Sequence, residues 1–174
     1  TVNKYLGPDY RVIASYGHVR DLPAKNGSVE PEKDFAMHWD VDPKAAKRLD
    51  VIAKAVKGAT YVISALGSNS QRDPENKPEF IDYGGTKNLV EAAKAAGVKQ
   101  FVLVSSMGAT LADHPLNKMF DNILVWKLKG EDALRASGVP YTVVRPGGLR
   151  NSPAGQTALT ALQGDDPKVN GEIS

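Results

Sequence analysis

Ser105 and Ser106 follow an apolar run, Phe101 to Val104, and Pro146, Gly147 and Gly148 follow a second one, Tyr141 to Val144. A hydroxyl pair and a turn of small residues can donate hydrogen bonds and let a ligand come close to the backbone. Both sets lie at the carboxyl ends of strand-like sequence, which is where open α/β sheets bind ligands. A ligand site is expected there. Other chemistries are disfavoured by residue type. The sequence holds no cysteine, which removes disulfides, thiolate metal sites and a cysteine nucleophile. Its three histidines, His18, His38 and His114, are isolated and lack metal-ligand spacing, so no metal site is expected.

The elements that must position these residues alternate in type. FVLV at 101 to 104 and YTVV at 141 to 144 are continuous apolar runs, as in parallel strands covered on both faces. Between them, a segment from about 118 to 136 reads as a crossover helix ending at Ser137-Gly138. Upstream, YRVIASY at 10 to 16, FAMHWD at 35 to 40 and YVISA at 61 to 65 read as strands. Asp42-Pro43 suits an N-cap followed by proline in the first helical position, with Leu49, Ile52 and Val56 at helical spacing and Gly58 as the stop. Phe80 to Ala96 reads as one helix, with Leu89, Val90, Ala93 and Ala96 on one face and Gly97 as its cap. The segment after Leu149 has no clear core pattern. Strands alternating with helices predict a doubly wound parallel α/β sheet with helices on both faces.

Length and charge bound the function. At 174 residues the chain is the size of one domain, and 41% hydrophobic with 24% charged residues is ordinary for a globular protein. A formal net charge of +2, with basic and acidic residues intermixed, offers no nucleic-acid stripe. No apolar run reaches the roughly 18 residues of a membrane span, and no charged-then-apolar leader opens the chain. It reads as soluble and intracellular, with cytoplasm and organelle interior undistinguished.

The succession VRDLPAK at 19 to 25, WDVDP at 39 to 43, YVISALG at 61 to 67, DYGGTKNLVEAAKAAGVKQFVLVSS at 82 to 106, WKLKGEDALRASGVPYTVVRPGGL at 126 to 149 and GEIS at 171 to 174 resembles the atypical short-chain dehydrogenase/reductases, the NmrA-like NAD(P)-binding Rossmann proteins. The resemblance implies a Rossmann domain over residues 1–149 and the start of a small substrate or cap region over 150–174. It implies that Arg20 meets the 2′-phosphate of NADP, since a guanidinium fork matches a phosphate and an NAD site would place a carboxylate on the ribose. A solvated loop arginine is the alternative. Asp40 and Val41 match the adenine-contacting pair, Ala65, Leu66 and Gly67 the segment under the ribose and pyrophosphate, and Pro146, Gly147 and Gly148 the segment beside the nicotinamide. Ser105 and Ser106 match the serine position near the nicotinamide, or simply cap the strand end. Lys127 matches the active-site lysine that holds the nicotinamide ribose. Glu131, Arg135 and Thr142 also fit the pattern, with structural roles expected.

Two departures bear on function. The family's general-acid tyrosine lies four residues before the lysine, and here that position is Ile123, which carries no proton. Tyr83, Ser106 and His114 are substitutes to consider. The family also opens on a strand and a GxxGxxG turn that receives the pyrophosphate, whereas this sequence opens on TVNKYLGPD, which reads as a helix tail. Roughly 20 to 30 further residues are expected upstream, the size of a strand, tight turn and most of a helix, and a continuation is expected after GEIS. Lacking a central strand, these residues alone are expected to fold poorly. The implied function is an NADP-binding accessory, assembly or redox-sensing factor. The alternatives are an NADPH-dependent reductase or epimerase of a small carbonyl compound, and a structural subunit of a larger complex without nucleotide binding.

Overall fold

The computed structural model describes residues 49–71, 73–150, 153, 158–166 and 171–173. The strands expected at 10 to 16 and 35 to 40 and the Asp42-Pro43 cap lie outside the described residues. Helix α1, Leu49–Val56, precedes strand β1, Tyr61–Ser64. A π-helical turn, Glu79–Gly85, runs into α2, Thr86–Ala95, and β2 follows at Gln100–Val104. Then come α3, Pro115–Met119, α4, Ile123–Ala136, and β3, Tyr141–Val144. Two short strands, β4 at Gly148–Leu149 and β5 at Glu172–Ile173, end the chain.

β1, β2 and β3 form a parallel sheet in that order, with Val62 opposite Phe101 and Leu103 opposite Val143. A parallel neighbour needs a crossover, and α2 and α4 supply one each. The face carrying Val62, Phe101 and Leu103 packs against Val56, Leu89, Val90, Ala93 and Leu134. Period-two alternation turns Tyr61, Ile63, Thr142 and Val144 to the opposite side, where they are exposed. Val102 and Val104 of β2 lie on that side half-buried, so among the described residues one face of the sheet is covered more fully than the other. Gly97 and Gly138 take φ of +66° and +78° where the sequence places helix stops.

Three elements differ from the sequence reading. The helix expected from Phe80 is π-wound up to Gly85, a widening often found at functional sites. Ala96, assigned to its buried face, is exposed as the C-cap. The helix expected over 118 to 136 is broken, because Asp121 and Asn122 take φ of +51° and +59° between α3 and α4. Buried Asn117 explains the break. Its Oδ1 accepts the Leu124 N–H at 3.0 Å and the Val125 N–H at 3.4 Å, and its Nδ2 donates to the Ala112 carbonyl at 3.0 Å. It caps α4 from the preceding helix, satisfying amides that a helix start leaves open.

The tail also holds more order than its composition suggests. β4 and β5 pair in parallel, and a β-carbon at Gly147 would fall 2.0 Å from the Gly171 carbonyl oxygen. α4 approaches the π-helical turn as closely: a β-carbon at Gly130 would lie 2.7 Å from the Asp82 carbonyl oxygen. Gly130→Ala is expected to cost about 1 to 3 kcal/mol through overpacking, measured by urea denaturation. Asn117→Ala is expected to cost about 1 to 2 kcal/mol as a lost cap, read from the same curves.

Candidate functional site

The carboxyl ends of β1 and β2 and the first turns of α4 enclose a shallow cleft lined by Leu66, Asp82, Thr86, Leu103, Ser105 and Lys127. The widened turn at 79 to 85 and the Gly130 contact bring Asp82 against α4. The Asp82 side chain is fully buried, and Lys127 Nζ lies 2.6 Å from its Oδ1. Asp82 Oδ2 accepts the Ser68 N–H at 3.1 Å, and Lys127 Nζ donates to the Leu66 carbonyl at 3.4 Å. One buried carboxylate thus fixes both the lysine and the loop after β1.

A second buried carboxylate stands one residue beyond the Gly130 contact. Glu131 is fully buried and accepts Ser105 Oγ–H at 2.6 Å, Arg145 Nε–H at 3.0 Å, Arg145 Nη2–H at 2.6 Å and Arg135 Nη2–H at 2.5 Å. Burial pushes its carboxyl up, but the bonds from Arg145, Ser105 and Arg135 outweigh burial and hold it below the ordinary carboxylate range. Arg145 also lies 3.7 Å from Asp165. Asp165 accepts the Gly108 N–H at 2.7 Å and the Thr110 N–H and Oγ–H at 2.9 Å each. Burial raises its carboxyl, while the backbone bonds from Thr110 and Gly108 outweigh that and bring it below its ordinary value.

The residues singled out from sequence are distributed as follows. Leu66 and Lys127 meet directly. Ala65 is exposed, and Gly67 has no heavy atom within 4 Å of where a β-carbon would stand. Ser105 turns its hydroxyl inward to Glu131, while Ser106 donates to the Met107 carbonyl at 3.0 Å. Pro146 accepts the Met107 N–H at 3.0 Å, so the turn after β3 lies beside the one after β2. Gly147 packs on Gly171, and Gly148 belongs to β4. Glu131 and Arg135 form an internal ion cluster together with Arg145, which the sequence reading did not single out, and Thr142 accepts from Gln100 Nε2 at 3.0 Å. Arg20, Asp40 and Val41 lie outside the described residues. Ile123 is half-buried at the first position of α4. Tyr83 stacks on Trp126 with ring centroids 6.0 Å apart, and His114 accepts the Leu116 N–H at 3.2 Å as the cap of α3. Asp82 and Asp165 were missed. The signal for Asp82 was an acidic residue on the helix face otherwise occupied by buried groups, whereas nothing local marks Asp165.

A parallel sheet whose carboxyl edge gathers a lysine, a small open glycine and two closely spaced turns is the arrangement of a dinucleotide-binding domain. Residues 37–174 match the NAD(P)H-binding family, and the chain belongs to it. It is 38% identical over 156 residues to protein TIC 62, chloroplastic, of Pisum sativum, covering 87% of this chain and 28% of that protein. It is 47% identical over 105 residues to sanguinarine reductase of Eschscholzia californica, covering 59% of this chain and 38% of that protein. The chain thus spans well under half the length of these relatives. In fold it is similar to ChuY, an anaerobillin reductase of Escherichia coli O157:H7, with a TM-score of 0.58, 24% identity, and coverage of 74% of this chain and 59% of that one. These likenesses fit the atypical short-chain dehydrogenase/reductase type and its Rossmann sheet. Among the described residues no helix is long and apolar enough to cross a membrane, and no cluster of metal-ligating side chains occurs.

The two depressed carboxyls give a sign for pH dependence. A group whose folded pKa is lowered stabilises fully above its unfolded pKa, about 4 for a carboxyl. That stability is lost as pH falls through the folded value. Thermal melts are expected to hold through neutral pH and to drop below about pH 4. Glu131→Gln is expected to flatten that drop while lowering stability at pH 7 by about 3 to 5 kcal/mol, because it leaves Arg145 without its buried counter-charge. Melts across pH 2.5 to 7, as an approximate range around the carboxyl pKa, check both.

Proposed function

We propose that this chain is the NADP-binding part of an atypical short-chain dehydrogenase/reductase that works as an accessory, assembly or redox-sensing factor. The observation that carries this is Lys127, held at the carboxyl edge of β1 and β2 by buried Asp82 and the Leu66 carbonyl, with Ile123 in the tyrosine position. The residues present fit a dinucleotide. Lys127 supplies a cationic donor for the ribose hydroxyls, and the open space at Gly67 admits the close approach of a ligand to the backbone. Arg20 would hold the 2′-phosphate and Asp40 and Val41 the adenine, with Ala65, Leu66 and Gly67 beneath the ribose and pyrophosphate. Pro146, Gly147, Gly148 and Ser106 would border the nicotinamide, with Ser105 behind them on Glu131.

When bound, the nicotinamide supplies hydride chemistry. The chain's own residues bind and orient it, and Ile123 provides no proton for reduction of a carbonyl. That absence favours sensing over turnover. The chloroplastic relative supports a plastid location. The likeness to sanguinarine reductase favours a second reading, an NADPH-dependent reductase with a different proton donor.

Titration of the full-length protein with NADPH and NADH, followed by cofactor fluorescence, is expected to show tighter NADPH binding. Arg20→Ala should weaken NADPH by about 1.5 to 3 kcal/mol, the size of a charge-assisted contact, and leave NADH unchanged. Equal loss for both cofactors would sink the assignment of Arg20 to the 2′-phosphate. Gly67→Ala should lower affinity for both while the melting temperature stays unchanged, since the fold leaves room for the methyl group. Lys127→Met with undiminished binding would remove the lysine from the site.

A further inference from the structure

The turn after β2 carries a built anion cradle already filled by the chain's own tail. Gly108 N–H, Thr110 N–H and Thr110 Oγ–H converge on the two oxygens of Asp165 at 2.7 to 2.9 Å. Gly108 takes φ of +77°, which lets the turn's amides point to one side, and the His114 ring stands where a β-carbon of Gly108 would be, 2.8 Å from it. Arg145 stands behind with Nη1 3.7 Å from Asp165, its Nε and Nη2 being held by Glu131. Without Asp165, Arg145 would keep Glu131 as its partner and Arg135 would keep Glu131 and Asp132, so the groups left without an acceptor would be the buried Gly108 N–H and the two Thr110 donors. Such donors require an acceptor.

We propose that this turn, Gly108 to Thr110 with Arg145, is a carboxylate-binding site whose resident occupant is Asp165, and that it receives the carboxylate of an acidic ligand when the segment 158–166 lifts away. The two-oxygen geometry selects a carboxylate, because separate donors address Oδ1 and Oδ2. Thr110 is exposed, so the cradle opens to solvent once the tail leaves. The site stands directly after Ser106 and beside Pro146, whose carbonyl accepts the Met107 N–H. It rests on the dinucleotide reading above only for where the remainder of the ligand lies, next to the nicotinamide. Substrates or effectors bearing a carboxylate are the class it fits.

The test removes the occupant from the full-length protein and supplies acetate as the probe. Asp165→Ala is expected to melt lower than wild type, and acetate should restore the melting temperature along a saturating curve. Sodium chloride at matched ionic strength should not. Wild type should need at least about tenfold more acetate for half the effect, because the tethered carboxylate competes at high effective concentration. Thr110→Val in the Asp165→Ala background should weaken acetate several-fold by removing one donor. If Asp165→Ala does not fold, Asp165→Asn, which keeps one acceptor oxygen, takes its place in the same titration. Equal acetate responses in wild type and variant, or none beyond chloride in the variant that folds, would overturn the proposal. NADPH titration of the same variant separates the two readings. Retained NADPH binding with no acetate effect rejects the cradle alone, and an acetate effect without NADPH binding rejects the nucleotide reading alone.

Discussion

The structure depends on the burial of a single charge, the Glu131 carboxylate. An ion taken out of water is stable in a protein only when its oxygens are paired and hydrogen-bonded. Glu131 meets that demand with Ser105 from the end of β2, Arg135 from its own helix and Arg145 from the end of β3. Satisfying one side chain therefore fixes the ends of two strands and the roll of α4 about its axis. Because Arg145 also faces Asp165, the same cluster extends to the tail and to the turn at Gly108.

The roll of α4 has a second consequence. Gly130 permits the helix to touch the backbone of the π-helical turn, and this contact sets Asp82 beside Lys127. A larger residue at that position would separate the helices and leave a fully buried aspartate without its counter-charge. The widened winding before Thr86 and the missing side chain at Gly130 are thus two halves of one arrangement, and its product is a lysine held at the carboxyl edge of the sheet. Pre-positioning of this kind lowers the ordering cost when a ligand is bound.

Membership of the NAD(P)H-binding family does not by itself require catalysis. A Rossmann sheet hosts many functions, so activity has to be argued from the site. Lys127, Leu66 and Ser105 line one cleft at the carboxyl edge of the sheet, and the residue four positions before the lysine is the aliphatic Ile123. Tyr83, Ser106 and His114, the candidates for a proton donor in its place, are engaged with Trp126, the Met107 carbonyl and the Leu116 amide respectively.

The sequence by itself determined the parallel strands β1, β2 and β3, the helices between them and the stops at Gly97 and Gly138. Local propensity and periodicity act over a few residues, and these elements are written in that range. It also determined the family, through motifs spread along the chain. The break between α3 and α4, the inward turn of Ser105, the β4–β5 pairing and the capture of Asp165 were decided by tertiary structure alone. The last three join groups far apart in sequence, Ser105 with Glu131, Gly147 with Gly171, and Gly108 with Asp165, while the break turns on Asn117 capping the start of α4 seven residues on. No local pattern encodes such a pairing, because what selects it is the need of a buried charge or amide for a partner, and the fold determines which partner is within reach.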